Sequence, residues 1–512
     1  MTTGLLTAGG MLAAHARLQP GALGAMDLTR RMSFAEWNER ACRLANALLG
    51  IGLCKGDRVA VLAYNRLEWA EIYVAVAKAG LVAVPINFRL TGPEAAYIIN
   101  DCGAAAVLLE ASLAGTLESM RAGLTVPEDR FVHFGGPTPA GHHGYEDLIA
   151  AASDCEPAMN VAPDDPWCLM YTSGTTGDPK GAIRSHRSLA MLGLMTGIEF
   201  KFHRRDNALL VMPMCHSNSL FFFSASLFCG GAVTIFSSPS FDPELCLRAL
   251  GSATFTSLVP THYAMMLDIP ADRRGNITSV EKLVVSSATA FATTKRQIME
   301  MFPNSGLYEL YGSTEAGFVT ILHPEEQFDH LGTVGREVVG SAPIRLLDDS
   351  GNEVPDGEPG ELFSFSPYQF DSYWNLPEKT AEAMRDGYLS VGDIAVRDSD
   401  GFIRLVDRKK NLIISGGENI YPSEVEQVLI NHPDVRDVAV IGVPDPKWSE
   451  RVLAVVVPRD GATPDADALI DWSRDHLAGF KRPRDIVFLA AEQMPRNATG
   501  KVLHHRLREM FG

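Results

Sequence analysis

The sequence lacks most of the features that would set it apart from an ordinary globular chain. No pair of its eight cysteines, at 42, 54, 102, 155, 168, 215, 229 and 246, has C-x-x-C spacing, and all fall in the first half. That excludes a zinc ribbon and argues against a disulfide frame; reduced, mostly buried thiols in a cytoplasmic protein are expected. Basic residues are in deficit, 45 against 62 acidic, leaving a net charge of −17, which argues against a general nucleic-acid binder. The opening "MTTGLLTAGGMLAAHARLQ" has no basic n-region, so no secretory leader is expected, and its glycines suit a cap or a fraying terminus. A long unbroken apolar run is also missing. The nearest, residues 208–241, carries no formal charge with His216 neutral, yet Pro213, "HSNS" and a Gly-Gly pair divide it. The pieces are shorter than the about 20 apolar residues a bilayer span needs, so the stretch is read as strand, loop, helix, strand.

What is present is a chain of 512 residues, 46% hydrophobic and 21% charged, long enough for more than one domain with a full core. Strand-like runs such as "DRVAVLA", "GLVAVPIN", "AAAVLLE", "FTSLVP", "EKLVVSS" and "GLYEL" alternate with helical stretches such as "RLEWAEIYVAVAKA" and "GPEAAYIIND". This pattern predicts an α/β fold of layered subdomains with largely parallel sheets. Past about residue 340 the texture turns to Asp-Gly and Pro-rich β structure, expected to form a small antiparallel unit closing the large domain. After "VDRKKNLIISGGENIYP" the pattern resets to a smaller α+β unit. The predicted domains are therefore 1–409 and 410–512, with the boundary at Lys410.

"YTSGTTGDPKG", from Tyr171 to Gly181, crowds hydroxyls and glycines around one lysine after the short buried strand "PWCLM". Glycines let consecutive amides turn toward one anion, and hydroxyls and an ammonium add donors, a set that suits phosphate. The stretch is not a G-x-x-x-x-G-K-[ST] loop, because Pro179 stands where the second glycine belongs. On composition alone it is either a different phosphate loop or a solvated turn. The basic tail, "FKRPRD" with Arg496, Lys501, Arg506 and Arg508, is likewise either a solvated face or a polyphosphate contact.

Five ordered blocks decide between these readings: "YTSGTTGDPKG", "YGSTE" at 311–315, "GYLSVGD" ending at Asp393, "VDRKKNLIISGGENIYPSEVE" from Val406, and "PRNATGK" ending at Lys501. Together they resemble the adenylate-forming superfamily of acyl-CoA synthetases, luciferases and carrier-protein adenylation domains, over residues from about 50 to about 510. The resemblance implies an ATP-dependent carboxylic acid:CoA ligase that makes acyl-AMP and then acyl-CoA, using ATP, Mg²⁺ and CoA. It makes Thr172, Ser173, Gly174, Thr175, Thr176, Gly177 and Lys180 the cradle for the β- and γ-phosphates. Tyr311 would stack on adenine within the stretch Glu309, Leu310, Tyr311, Gly312 and Ser313, Thr314 would bond the α-phosphate, and Glu315 would hold Mg²⁺. Ser287, Ala288 and Thr289 match the adenine-wall segment, with Thr289 departing from the more usual proline or alanine. Asp393 and Arg408 would hold the ribose, and Lys501 would bridge the carboxylate, α-phosphate and ribose during adenylation.

The same resemblance makes Lys410 a hinge about which the C-terminal domain rotates for thioester formation, presenting Gly416, Gly417 and Glu418. Trp448 is implied as a nucleotide-side contact, and Arg89, Lys481 and Arg482 as contacts to the phosphates of CoA. His216 is expected to line the acyl pocket with Asn218, Phe221, Ser286, Gly317 and Phe318, and it has no partner that would make it a base. That lining offers no lone cation for a second carboxylate, so a hydrophobic fatty, aryl, alicyclic or terpenoid acid is expected. Transfer to a carrier-protein phosphopantetheine and an inactive acyl- or nucleotide-binding homologue remain alternatives. A monomer or homodimer is expected, with no nucleic-acid partner.

Overall fold

The computed structural model describes the chain from residue 6 onward, apart from 119, 173–178, 276, 288–289, 291, 416–417, 475, 497–499 and 501. Two compact units emerge: Met1–Pro343 with Ser364–Leu389, and Ile344–Phe363 with Ser390–Gly512.

In the first unit, the described residues build two large sheets with parallel central strands, besides the small antiparallel pair Met384–Arg385 and Tyr388–Leu389. One has the order Ser372–Tyr373, Lys180–Ser185, Pro166–Thr172, Val82–Ile86, Arg58–Leu62, Ala104–Glu110, Phe131–Phe134 and His143–Gly144. The other runs from the edge strand Arg336–Glu337 through Gly317–Leu322, Gly306–Ser313, Lys282–Ser286 and Phe255–Leu258 to Asn207–Leu210, Ala232–Ile235, Leu23–Asp27 and Arg31–Ser33. Strands covered on both faces read as continuous apolar runs, which is why "VAVPI" and "KLVVS" are buried at every residue. The helices Glu68–Lys78 and Gly92–Asp101 form where periodicity predicts them.

Residues 208–241 resolve as expected into the strand Asn207–Leu210, the helix Ser217–Cys229 and the strand Ala232–Ile235. This helix is apolar on every side and buried from Ser217 to Phe228. Phe223 packs on Trp37 and Tyr73, Phe222 on Phe255 and Phe318, and the Tyr73 hydroxyl donates to the Met214 carbonyl at 2.6 Å. One hydrophobic core thereby spans both sheets.

Two expectations change. Gly9 and Gly10 do not fray: Ala8–Leu18 is a helix capped by Thr7, and a Cβ on Gly9 would stand 2.7 Å from Lys78 Cγ. Glycine there permits close approach of two helices. All eight cysteines are free, but Cys54 and Cys155 are exposed, not buried.

The second unit holds an antiparallel sheet, Arg345–Leu347, Gly360–Phe363, Asp393–Arg397 and Ile403–Arg408. The small sheet expected to close the large domain thus groups with the C-terminal residues. A second sheet is built on the long hairpin of Val435–Asp445 and Ser449–Pro458, against which Val425 and Leu429 of the helix Pro422–Leu429 are buried.

Candidate active site

Thr172 and Lys180 are register partners on antiparallel strands, so they form the base from which residues 173–178 extend. Ser173, Gly174, Thr175, Thr176 and Gly177 themselves lie outside the described residues. The short strand Ser372–Tyr373 pairs with Lys180–Ser185 and brings Tyr373 under this base. Its hydroxyl donates to Glu315 Oε1 at 2.9 Å, and the Thr172 hydroxyl donates to the same oxygen at 3.1 Å. Lys180 Nζ stands 5.3 Å from the centre of the Tyr373 ring. Glu315 is buried, and a buried carboxylate needs such donors to offset its desolvation. Both hydroxyls converge on Oε1, among the described residues no hydrogen bond reaches Oε2, and an oxygen donor in this position fits Mg²⁺.

Thr314 is held from two sides. Its hydroxyl lies 3.1 Å from that of Ser217, and its carbonyl accepts from Arg184 at 2.7 Å. Arg184 is wholly buried, donates also to the Tyr368 carbonyl at 2.6 Å, and lies 4.8 Å over the Phe221 ring. Burial pushes its guanidinium down to about 10, still cationic near neutrality. Sequence reasoning missed Arg184, Ser217, Tyr368 and Tyr373. Arg184 shares the strand Lys180–Ser185 with Lys180, but no local signal marks any of the four.

The strand Gly306–Ser313 carries Glu309, Leu310, Tyr311, Gly312 and Ser313 to the end of the parallel sheet, where α/β folds bind ligands. Its register slips between Tyr311 and Gly312, and a Cβ on Gly312 would stand 2.2 Å from the Gly317 carbonyl oxygen. Only glycine allows that closure. Leu310 is buried, and Ser313 accepts from the Ala316 N–H at 2.9 Å. Glu309 turns its carboxylate away into a buried ion pair with Lys295. On the neighbouring strand Ser286 is level with Leu310, and Ser287, exposed, takes the left-handed conformation at φ +69. Ala288 and Thr289 lie outside the described residues.

Beside Thr314, the Asn218 amide donates to Ser257 at 2.9 Å and to Ser286 at 3.0 Å. Phe221 and Phe318 meet edge to face at 5.5 Å, next to Gly317 at φ +76. His216 caps the helix Ser217–Cys229, its Nδ1 accepting from the Asn218 N–H at 3.3 Å, and burial pushes its imidazole down to about 4. A neutral imidazole thus caps this helix. Arg89 is exposed, its guanidinium 4.7 Å over Phe88.

In the second unit, Asp393 is buried and bonds Arg408 at 2.5 Å, each on a strand of the antiparallel pair. Lys410 is exposed, and its carbonyl accepts from Arg508 at 3.2 Å. Lys481 pairs with Glu424 at 2.7 Å, while Arg482 donates to the Leu477 carbonyl at 2.8 Å. Trp448 is 37% exposed, with Lys447 4.6 Å from its ring centre. Glu418 is exposed at the start of the strand Glu418–Ile420; Gly416, Gly417 and Lys501 lie outside the described residues.

Comparison with known proteins bears on this arrangement. Residues 12–374 match the model of the AMP-binding enzymes, and residues 424–501 that of the AMP-binding enzyme C-terminal domain. A feruloyl-CoA synthase from Amycolatopsis is 36% identical over 502 residues, 97% of this chain and 98% of its own. An indoleacetate–CoA ligase from Aromatoleum aromaticum is 32% identical, covering 97% of this chain and 96% of its own. The crystal structure of ATP-bound MatB from Rhodopseudomonas palustris superposes with a TM-score of 0.88 at 32% identity, covering 99% of both chains. With a family match across most of its length and relatives above 30% identity over nearly the whole chain, the chain belongs to the AMP-binding, adenylate-forming enzymes.

Proposed function

We propose that this enzyme is an ATP-dependent carboxylic acid:CoA ligase acting on a hydrophobic acid, with an aryl acid favoured. The observation that carries the first half-reaction is the Glu315 clamp. One buried carboxylate joins the phosphate-loop base, through Thr172, to the Tyr373 ring beneath Lys180. Such an arrangement fixes charge where a triphosphate has to be received, and preorganised charge is what phosphoryl-type displacements chiefly require.

The acid's carboxylate oxygen attacks the α-phosphorus, the bond to pyrophosphate breaks, and acyl-AMP forms. Thr314, fixed by Ser217 and Arg184, donates toward the α-phosphate, and Lys180 faces the leaving pyrophosphate. Glu315 Oε2 would hold Mg²⁺, which when bound neutralises phosphate charge. Lys501 reaches the reacting carboxylate in this first step. Asp393 accepts from the ribose hydroxyls with Arg408 beside it, and Tyr311 stacks on the base. For the second step the C-terminal domain, residues 410–512, turns about Lys410. Gly416 and Gly417 then leave room for the pantetheine arm, Glu418 and Trp448 approach the nucleotide, and Arg89, Lys481 and Arg482 meet the phosphates of CoA. The CoA thiol attacks the acyl carbon and AMP leaves. His216, neutral at physiological pH, lines the pocket and takes no proton.

The aryl preference rests on the edge-to-face Phe221–Phe318 pair and on Arg184, the cation over Phe221, being bonded to two carbonyls and not offered to a second carboxylate. Two relatives named for feruloyl and indoleacetate substrates agree with it. A panel of aryl, alicyclic, terpenoid, fatty and amino acids is screened by ATP–pyrophosphate exchange, then by thioester formation with free CoA and with holo-carrier protein. Exchange with aryl acids and acceptance of free CoA are expected. No exchange with any acid would return the protein to the class of inactive binders.

A further inference from the structure

A cluster of neutral polar side chains beside Thr314 takes no part in the steps above. Asn218, Ser257 and Ser286 are all buried, and the Asn218 amide nitrogen donates to both hydroxyls, at 2.9 Å to Ser257 and 3.0 Å to Ser286. A primary amide has two N–H donors and one accepting oxygen. Both donors are spent on the serines, and among the described residues no hydrogen bond reaches Asn218 Oδ1. Polar atoms in such surroundings are nearly always partnered, so an open acceptor on a residue only 8% exposed is left for a ligand or a water to fill.

The topology places this acceptor where an acid would lie. Ser257 and Ser286 stand toward the C-terminal ends of the parallel neighbours Phe255–Leu258 and Lys282–Ser286, the end of a sheet at which α/β folds receive ligands. Asn218 is in the first turn of the helix Ser217–Cys229, and Phe221 follows three residues later, so the amide and the ring share one helix face. Ser217, next to Asn218, bonds the Thr314 hydroxyl. The amide therefore adjoins both the Phe221–Phe318 pair and the residue read as the α-phosphate contact. Packing is a poor reason to keep it there, since a leucine of similar size would fill the space without the cost of desolvating an amide.

We propose that Asn218, held by Ser257 and Ser286, is a specificity-determining residue: its Oδ1 accepts a hydrogen bond from the acid, so the preferred substrate is an aryl acid bearing a ring hydroxyl or a ring N–H. The open group is an acceptor, so a donor is selected; an ether oxygen at the same place would set lone pair against lone pair. This rests on the reading above that aryl acids are activated in this pocket, and it names the substituent they carry.

Matched aryl acids that differ at one ring position test it, hydroxyl against methyl and against methoxy, at the ortho, meta and para positions in turn. Their kcat/KM values in ATP–pyrophosphate exchange are compared in the full-length wild type, in Asn218→Leu, and in Ser257→Ala combined with Ser286→Ala. At one position or more the wild type is expected to favour the hydroxy acid over its methyl partner by about ten-fold, the scale of one neutral hydrogen bond in a site that excludes water. Asn218→Leu should bring that ratio to within about two-fold of unity. A ratio of two acids on one enzyme does not depend on how much of it is folded. The double serine variant should shrink the ratio as well, because the amide is then free to turn, and it carries the test if the leucine variant fails to fold. A wild-type ratio near unity at every position overturns the proposal, as does a preference for methoxy over hydroxy or a ratio that survives in Asn218→Leu; in each case exchange with aryl acids leaves the aryl reading standing. If only acids of another class support exchange, the aryl reading is wrong and the inference falls with it.

Discussion

The candidate site draws on two kinds of charged residue, and they are treated oppositely. In the first unit Glu315, Arg184, Lys295 and Glu309 are buried, Glu315 bonded to two hydroxyls, Arg184 to backbone and the last two to each other. In the second, Lys481 and its partner Glu424 keep 24% and 43% of their side chains exposed, and Trp448 stands half in solvent. Groups that stabilise charge during a displacement are most effective when fixed and dry, because they then need no reorganisation as the reaction proceeds. Groups that greet a passing polyphosphate act through water and must let go.

The sharpest test of that contrast is Glu315→Gln. Removing the charge while keeping the shape should lower ATP–pyrophosphate exchange by about 10²–10³-fold, the cost typical of losing a preorganised electrostatic group. A loss below ten-fold would show that the clamp is structural. Arg184→Met comes next, since it strands two carbonyls, the half-buried one of Thr314 and the buried one of Tyr368. A stability loss of about 2–4 kcal/mol in chemical unfolding is expected. An unchanged midpoint would mean water replaces the guanidinium there. Tyr373→Phe removes one hydrogen bond to a carboxylate, worth ~1.5–3 kcal/mol, so exchange should fall about ten-fold or somewhat more. Phe activity equal to Tyr would leave Thr172 as the donor that matters.

Lys481→Ala probes the exposed side. Its effect should be a rise of about three- to five-fold in the CoA KM, fading at high salt, with pyrophosphate exchange unaltered. A drop in exchange would place this lysine in the first step and break the division.

The two units should also differ in acid. Burial pushes His133, His216 and His262 down to about 4 and His186 to about 3, all in the first unit. Each is neutral when folded, whereas the unfolded chain takes up a proton near its ordinary value of 6.5. Their contribution is therefore complete above about pH 6.5 and declines as the pH falls toward 4. Unfolding midpoints should drop across that window, and His186→Gln should flatten the slope. A midpoint independent of pH from 6.5 to 4.5 would contradict it.

The parallel strands were legible because burial on both faces leaves uninterrupted apolar β-branched runs, and the helix Gly92–Asp101 because its stretch is periodic and bounded by turn residues. The N-terminal helix was not, since Gly9 and Gly10 look like breakers until Lys78 is seen packed against one of them. Thr172, Lys180, Thr314 and Glu315 were legible as motif residues. Tyr373 was not, because it arrives through an edge strand nearly two hundred residues along the chain from Lys180. Glu309 was read as a nucleotide contact by its place in the motif, and its link to Lys295 shows only once the helix Ala292–Met301 is packed.

The sequence by itself determined the family, through its ordered set of motifs, and the layered α/β fold, because backbone demands and periodicity are written locally. Only the tertiary structure decided which side chains support those motifs. Glu315 is paired by Thr172 and Tyr373, Thr314 by Ser217 and Arg184, and Glu309 by Lys295. A buried charge must find its partner in space, and nothing in chain order says how far away that partner lies.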